Sequence, residues 1–188
     1  KSAVMKKPLC DQASRLVQEF LFLVDETFRT MGPVIKSLKK ILSAPPHSFN
    51  VLYEMLNTGL LTALIPEMKG IVDLIQYDEY HLYPVDKHAL RTVQVLKQLR
   101  DAGQEDRHAF YADVFRELAN PELLLWAGLF HDIGKGDAEE NLEEHGEKGA
   151  NIAEGVFTRM HFSEAEIDSI AYLVREHLFL IHTATRRD

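Results

Sequence analysis

The chain has 188 residues, of which 46% are hydrophobic, and its formal net charge at pH 7 is −8. This length suffices for one domain with a substantial core, or for one domain plus a helical extension. The negative net charge argues against nonspecific electrostatic binding of nucleic acid. The sequence has no apolar run of about 18 residues, which argues against a membrane-spanning helix.

Apolar residues recur at helical spacing almost throughout, and no stretch alternates convincingly at the period of a strand. Gly32-Pro33 and Pro45-Pro46 separate the first helical stretches, and Glu67 to Tyr83 is expected to be rich in loops. The sequence therefore predicts an all-α fold. The expected helices, including a short apolar segment at 60–65, cover about 11–30, 33–42, 48–58, 60–65, 86–100, 110–118, 121–131, 144–160 and 163–177.

Several of these helices carry their own start signals. Ser48 and Asp86 are expected to be N-caps, Asn120-Pro121 supplies a cap followed by an N1 proline, and Ser163 with Glu166 forms a capping box. The first helix is expected to carry one apolar face, made of Leu16, Phe20, Leu21, Val24 and Phe28.

The dipeptide His131-Asp132 is the strongest functional signal, because it stands where an apolar run gives way to Gly134-Lys135-Gly136. An imidazole and a carboxylate at the end of an apolar helix are costly to bury unless they are used. Together they suit a divalent cation such as manganese, iron, zinc or magnesium, and the helix ends that carry them could converge on one rim. Further candidate ligands are His81, His88, His145, His177, His182 and Asp188.

The single cysteine, Cys10, rules out an internal disulfide and a cysteine-rich zinc site, and it fits a reducing compartment. The chain begins without methionine and stops after Arg186-Arg187-Asp188 with no closing element, so we expect a piece of a larger cytoplasmic protein. The alternative to a metal site is a surface capping pair at His131-Asp132, with Lys135 as a helix-end cation that meets the helix dipole.

The order of His88, then His131-Asp132, then Asp188 resembles the HD phosphohydrolases, all-α metal enzymes that hydrolyse phosphate esters. Within this superfamily the chain is most similar to the uridylyl-removing HD domains that act on the nitrogen-regulatory P-II protein. The resemblance implies an HD domain at 81–188 and a helical extension or linker at 1–80 that packs on it. The similar blocks include 58–61, 64–67, 76–78, 81–88, 129–136, 145–150, 176–178 and 183–188.

The resemblance also implies a ligand set for one or two divalent ions, which would be Mn²⁺, Mg²⁺, Fe²⁺ or Zn²⁺. Lys135 would bind the phosphate or protonate the leaving oxygen. The family often has two consecutive histidines where this chain has Glu176-His177, and His182 falls at a variable position, so His182 is not retained. One ion would be held by His88, His131, Asp132 and Asp188, and a second by His145 and His177 with Asp132 bridging.

Three functions remain open at this point. The first is metal-dependent hydrolysis of a nucleotidyl-tyrosine phosphodiester, which would release UMP from modified P-II. The second is a general HD phosphohydrolase for a nucleotide or cyclic dinucleotide, and the third is a degenerate HD module that senses a ligand without turnover. The full ligand set argues against the third. Without the nucleotidyltransferase domain of the enzymes it resembles, the chain is expected not to transfer uridylyl groups.

Overall fold

A computed structural model describes residues 7–46, 50–75, 83–103, 105–137, 144–179 and 183. All regular elements in these ranges are helical, which confirms the predicted all-α fold. None of the described helices is long and apolar enough to cross a membrane. The α-helices are α1 Asp11–Glu19, α2 Glu26–Thr30, α3 Gly32–Ser43, α4 Val51–Asn57, α5 Leu60–Leu64, α6 Val85–Arg100, α7 Ala109–Glu117, α8 Pro121–Phe130, α9 Glu144–Arg159 and α10 Glu164–Arg175. In addition, 3₁₀ turns form at Leu21–Leu23, Pro66–Ile71 and Ile133–Asp137.

Helix α8 lies at the centre of the bundle, and its residues 125–130 are all buried. Such an all-round apolar helix is expected only inside a core. α6 and α10 pack against it, and α9 pairs along α10. An aromatic cluster joins α8 to α9, with the Phe157 ring centroid 5.3 Å from that of Trp126 and 4.9 Å from that of Phe130. The packing fixes the end of α8, where His131 and Asp132 follow.

Helices α3, α4 and α5 share this core, whereas α1 and α2 contribute no buried residue to it. Ile35, Leu38 and Leu42 of α3 belong to the same buried cluster as Leu125 and Phe130 of α8. Helices α3 to α5 therefore pack directly on the bundle. The division into an extension at 1–80 and a domain at 81–188 stays a prediction.

The predicted single helix over 11–30 is wrong, because the chain breaks into α1, a 3₁₀ turn and α2. A continuous helix needs the Phe28 N–H to donate to the Val24 carbonyl. Instead, the Phe28 N–H donates to the Asp25 carboxylate at 2.8 Å, and the Val24 carbonyl accepts from the Arg29 guanidinium at 3.2 Å. The predicted apolar face is also largely exposed, with Leu16 at 48% and Phe20 at 51%.

The prediction that Asp86 is an N-cap is also wrong. Helix α6 begins at Val85, and the Pro84 carbonyl already accepts the first helical hydrogen bond, from the His88 N–H at 2.8 Å. Asp86 lies in the first turn and is buried, and its carboxylate accepts from the backbone N–H of Asp73 at 3.2 Å and of Lys87 at 2.7 Å. Its negative charge still meets the positive end of the helix dipole.

The capping box at α10 is confirmed, since the Glu166 carboxylate accepts from the Ser163 backbone N–H at 2.9 Å. Pro121 opens α8 as predicted, but the Asn120 side chain makes no capping hydrogen bond. Ser48 lies outside the described residues, and the Asn50 side chain caps α4 by accepting from the Leu52 N–H at 3.0 Å.

Lys97 is a buried cation that joins α6 to the end of α3. Lys97 is only 8% exposed, and its ammonium donates to the Ile41 carbonyl at 3.2 Å. Arg100, one turn further along α6, donates to the Ser43 carbonyl at 3.0 Å. Burial lowers the pKa of Lys97 to about 8. The two cations compensate the carbonyls that the last turn of α3 leaves without helical partners.

This lowered pKa predicts that the free energy of unfolding rises between pH 8 and 10.5. Over that range the unfolded chain binds more protons at Lys97 than the folded chain does, so raising the pH favours the folded state. The contribution is about 3 kcal/mol at most. Urea unfolding at several pH values measures it, and Lys97→Met is expected to lose the rise. The matched control Lys40→Met, at an exposed position on α3, should keep it. Identical profiles for Lys97→Met and the parent chain would contradict the prediction.

Candidate metal centre

Asp132 is the centre of a buried cluster that brings together the predicted ligands among the described residues, His88, His131, His145 and His177. Its Oδ2 atom lies 3.3 Å from Nε2 of His131 and 3.9 Å from Nε2 of His88. Its Oδ1 atom lies 3.5 Å from Nε2 of His145 and 3.4 Å from Nε2 of His177. Each oxygen of one carboxylate therefore faces its own pair of histidines. We call His88, His131 and Asp132 the outer trio, and Asp132, His145 and His177 the inner trio.

Asp188, the remaining predicted ligand, lies outside the described residues, as do His81 and His182. Its place in the ligand set stays a prediction.

The cluster forms where helix ends meet, as the sequence suggested. His88 comes from the first turn of α6, His131 caps the end of α8, His145 lies in the first turn of α9, and His177 follows the end of α10. The 3₁₀ turn Ile133–Asp137 contacts the start of α9 so closely that a Cβ atom at Gly134 would overlap the His145 carbonyl oxygen. Glycine at this position therefore lets Asp132 and His145 come together.

Two of the histidines are oriented by backbone carbonyls. Nδ1 of His131 lies 2.9 Å from the Gly128 carbonyl, and Nδ1 of His177 lies 2.7 Å from the Val174 carbonyl. A carbonyl only accepts, so Nδ1 of each ring donates to it, and this hydrogen bond turns Nε2 toward Asp132, where it would be the ligand atom for a bound ion. The sequence does not reveal these partners, because every residue has a backbone carbonyl and no side chain indicates which carbonyl will face a histidine.

The inner trio has the spacing of ligands on one small cation. Its three facing atoms are 3.2, 3.4 and 3.5 Å apart, the shortest distance joining Nε2 of His145 to Nε2 of His177. Ligand bonds of 2.0–2.1 Å at tetrahedral angles place such atoms about 3.3–3.4 Å apart. In the outer trio all the facing atoms lie within 4.8 Å of one another. The residues present therefore fit a divalent ion in the inner trio, with a wider position in the outer trio.

Burial and charge set the protonation of the cluster. Burial alone would raise the pKa of the Asp132 carboxyl, but hydrogen bonds from His131 and His177 and the positive charge of Lys135 hold this pKa well below its ordinary value. Burial lowers the pKa of His145 to about 4. At neutral pH the cluster therefore holds a carboxylate and a neutral imidazole, the forms that bind metals.

Lys135 turns into the cluster. Its ammonium lies 3.1 Å from Oδ2 of Asp132, and its side chain is only 3% exposed. Beside any interaction with the helix dipole, Lys135 is therefore paired with a buried carboxylate. Access from solvent is on the side of His88, whose side chain is 32% exposed, whereas His145 is closed off at 2%.

A family model described as "HD domain" matches residues 85–187, more than half of the chain. The chain therefore belongs to the HD-domain family, and its all-α fold and His-Asp cluster are those of a metal-dependent phosphohydrolase. This result confirms the resemblance predicted from the sequence.

Within the family, the chain is similar to curated proteins named bifunctional uridylyltransferase/uridylyl-removing enzyme. It is 33% identical to that of Methylococcus capsulatus over 174 residues, which cover 93% of this chain and 19% of the relative. It is 36% identical to that of Vibrio cholerae over 135 residues, 72% of this chain and 15% of the relative. It is 39% identical to that of Haemophilus influenzae over 132 residues, 69% of this chain and 15% of the relative. The chain thus spans about a fifth or less of the length of these relatives.

We predict that Asp132→Asn abolishes binding of divalent ions, because the one carboxylate faces both pairs of histidines. The buried Lys135 then loses the charge of its partner, so the variant is also expected to lose about 3–5 kcal/mol of stability. Calorimetric titration with Mn²⁺ measures the binding, and circular dichroism checks that the helices persist. Asp73→Asn removes an exposed carboxylate near α6 and should bind as the parent chain does. Unchanged Mn²⁺ affinity in Asp132→Asn would remove this residue from the site.

Proposed function

We propose that this chain is a divalent-metal phosphodiesterase that releases UMP from a uridylylated tyrosine of the P-II signalling protein. The observation that carries the proposal is the division of the Asp132 carboxylate between two pairs of histidines. Such an arrangement suits two cations bridged by one carboxylate, which is the arrangement of a two-metal phosphoester hydrolase. The substrate follows from the names of the relatives, which are uridylyl-removing enzymes.

The proposed ligands form two groups, which correspond to the outer and inner trios. The outer trio, joined by Asp188, would hold one ion, and the inner trio would hold the second. Imidazole and carboxylate donors suit Mn²⁺, Fe²⁺, Zn²⁺ or Mg²⁺. When bound, the ions would polarise the phosphoryl group and lower the pKa of a coordinated water so that it attacks as hydroxide near neutral pH.

The residues of the chain have distinct tasks in this proposal. Asp132 orients both groups of ligands, while the Gly128 and Val174 carbonyls keep His131 and His177 turned toward it. Lys135 is placed to neutralise a phosphoryl oxygen, or to give its proton to the tyrosine oxygen as the bond from phosphorus to that oxygen breaks. The exposed edge at His88 is where the phosphodiester would enter.

We also propose that this reaction takes place in the cytoplasm. The support is the lone cysteine, Cys10, which is exposed and unpaired and so fits a reducing compartment.

The central test is UMP release from uridylylated P-II by the purified chain, followed by chromatography with and without Mn²⁺. UMP release is expected only with the added ion, and bis-p-nitrophenyl phosphate and a cyclic dinucleotide are expected to be hydrolysed more slowly, to p-nitrophenol and to a linear dinucleotide. Preference for the cyclic dinucleotide would favour the general phosphohydrolase. Binding of Mn²⁺ without turnover of any phosphoester would favour the sensing module, and activity that survives exhaustive chelation would reject the metal mechanism.

Lys135→Ala is predicted to lower turnover about 10²–10⁴-fold, the usual effect of a positioned acid–base group. The metal content measured by elemental analysis should stay the same, because the lysine contributes no ligand. Lys40→Ala, an exposed lysine on α3, serves as the control and should keep full turnover. An unchanged rate in Lys135→Ala would exclude the lysine from the reaction.

A further inference from the structure

The two helices that carry the inner histidines touch through their backbones. A Cβ atom placed on Gly146 would lie 2.7 Å from the carbonyl oxygen of Arg175, so only glycine allows α9 and α10 this close. Gly146 directly follows His145, and Arg175 comes two residues before His177. The helix contact therefore lies beside the inner trio, and it controls how far apart the two imidazoles are.

An ion pair between Arg175 and Glu147 joins the same two helices beside this backbone contact. Nε of Arg175 lies 2.5 Å from one carboxylate oxygen of Glu147, and its Nη2 lies 3.5 Å from the other. Nη2 also lies 3.8 Å from the carboxylate of Glu154, about two turns further along α9 than Glu147. An exposed ion pair of this kind contributes little to stability. Its two-pronged geometry does, however, hold the end of α10 in one position against the start of α9.

The outer trio shares Asp132 with the inner trio, and the His131 ring lies 5.3 Å from the His177 ring, but the histidines of the outer trio come from helices outside this junction. His88 comes from α6, while His131 and Asp132 follow α8, and α8 is fixed by the aromatic cluster. The spacing of α9 and α10 sets the distance between His145 and His177, whereas the distance between His88 and His131 is set by the packing of α6 against α8.

We infer that Gly146 and Arg175 are positioning residues for the inner metal site, because they set the 3.2 Å gap between His145 and His177 that fits one cation. This inference rests on the two-ion proposal made above. It adds that the two sites are separable, since occupancy of the inner site depends on the α9–α10 junction and occupancy of the outer site does not.

The test is the number and affinity of Mn²⁺ ions bound by the 188-residue chain, measured by calorimetric titration and elemental analysis. Gly146→Ala is expected to bind the second ion about 10–100-fold more weakly, the usual effect of disturbing the partners that orient metal ligands. The first ion should bind as before. Gly155→Ala is the matched control, because it is the same change on the same helix with nothing within 4 Å of the new Cβ atom.

A second set of variants leaves the backbone contact intact, in case Gly146→Ala does not fold. Arg175→Met and Glu147→Gln should each weaken the second ion alone, and combining them should weaken it no further. Arg175→Lys keeps the charge and should restore part of the affinity. A merely structural role for the ion pair would lower the melting temperature and leave the second ion's affinity unchanged.

The outcomes separate this inference from the proposed function. If the parent chain binds no Mn²⁺, both are overturned. If it binds one ion only, or if Gly146→Ala and Arg175→Met bind the second ion with parental affinity, the inference is overturned and a phosphodiesterase remains in place. Equal weakening of both ions in these variants would also overturn it, because the two sites would then not be separable.

Discussion

The structure depends on keeping one carboxylate charged inside an apolar bundle. Burying the charge of Asp132 without partners would cost several kcal/mol; the ammonium of Lys135 compensates this charge, and four imidazoles surround the carboxylate. Those partners come from four different helices and the turn between them. The ends of α6, α8, α9 and α10 must therefore meet at one point, and the apolar packing of these helices brings them there.

Close packing at glycine is what makes such a meeting possible. Side chains normally keep helix axes 8–10 Å apart, and a polar cluster between helix ends needs backbones that approach more closely than that. Gly134 allows the turn after α8 to reach the start of α9, and Gly146 allows α9 to reach the end of α10. The apolar core contributes rigidity, because α8 is buried along its last turns and its Trp126 and Phe130 pack against Phe157 of α9. The site is thus built on fixed elements, as a preorganised catalytic centre requires.

The two sides of the cluster differ in a way that bears on function. The inner trio is tightly spaced and closed, whereas the outer trio is wider and reaches solvent at His88. Among the described residues of the cluster, His88 is the most exposed, so the proposed phosphodiester would approach from its side. Lys135 adjoins the oxygen of Asp132 that faces this side, so the one buried ammonium of the cluster is directed toward the position where a phosphoryl group would arrive.

The sequence by itself determined the all-α class, most helix boundaries, the capping box at Ser163 and the candidate ligands around His131-Asp132, because periodic burial, caps and short motifs depend on neighbours along the chain. It did not anticipate the break at Asp25, where a side chain takes the N–H that the helix needed, or the position of Asp86 inside a helix. Tertiary structure alone decided which histidines face each oxygen of Asp132. It also decided that Gly146 lies against the backbone of Arg175. These facts depend on distances between segments far apart in sequence, and such distances are set only when the helices pack.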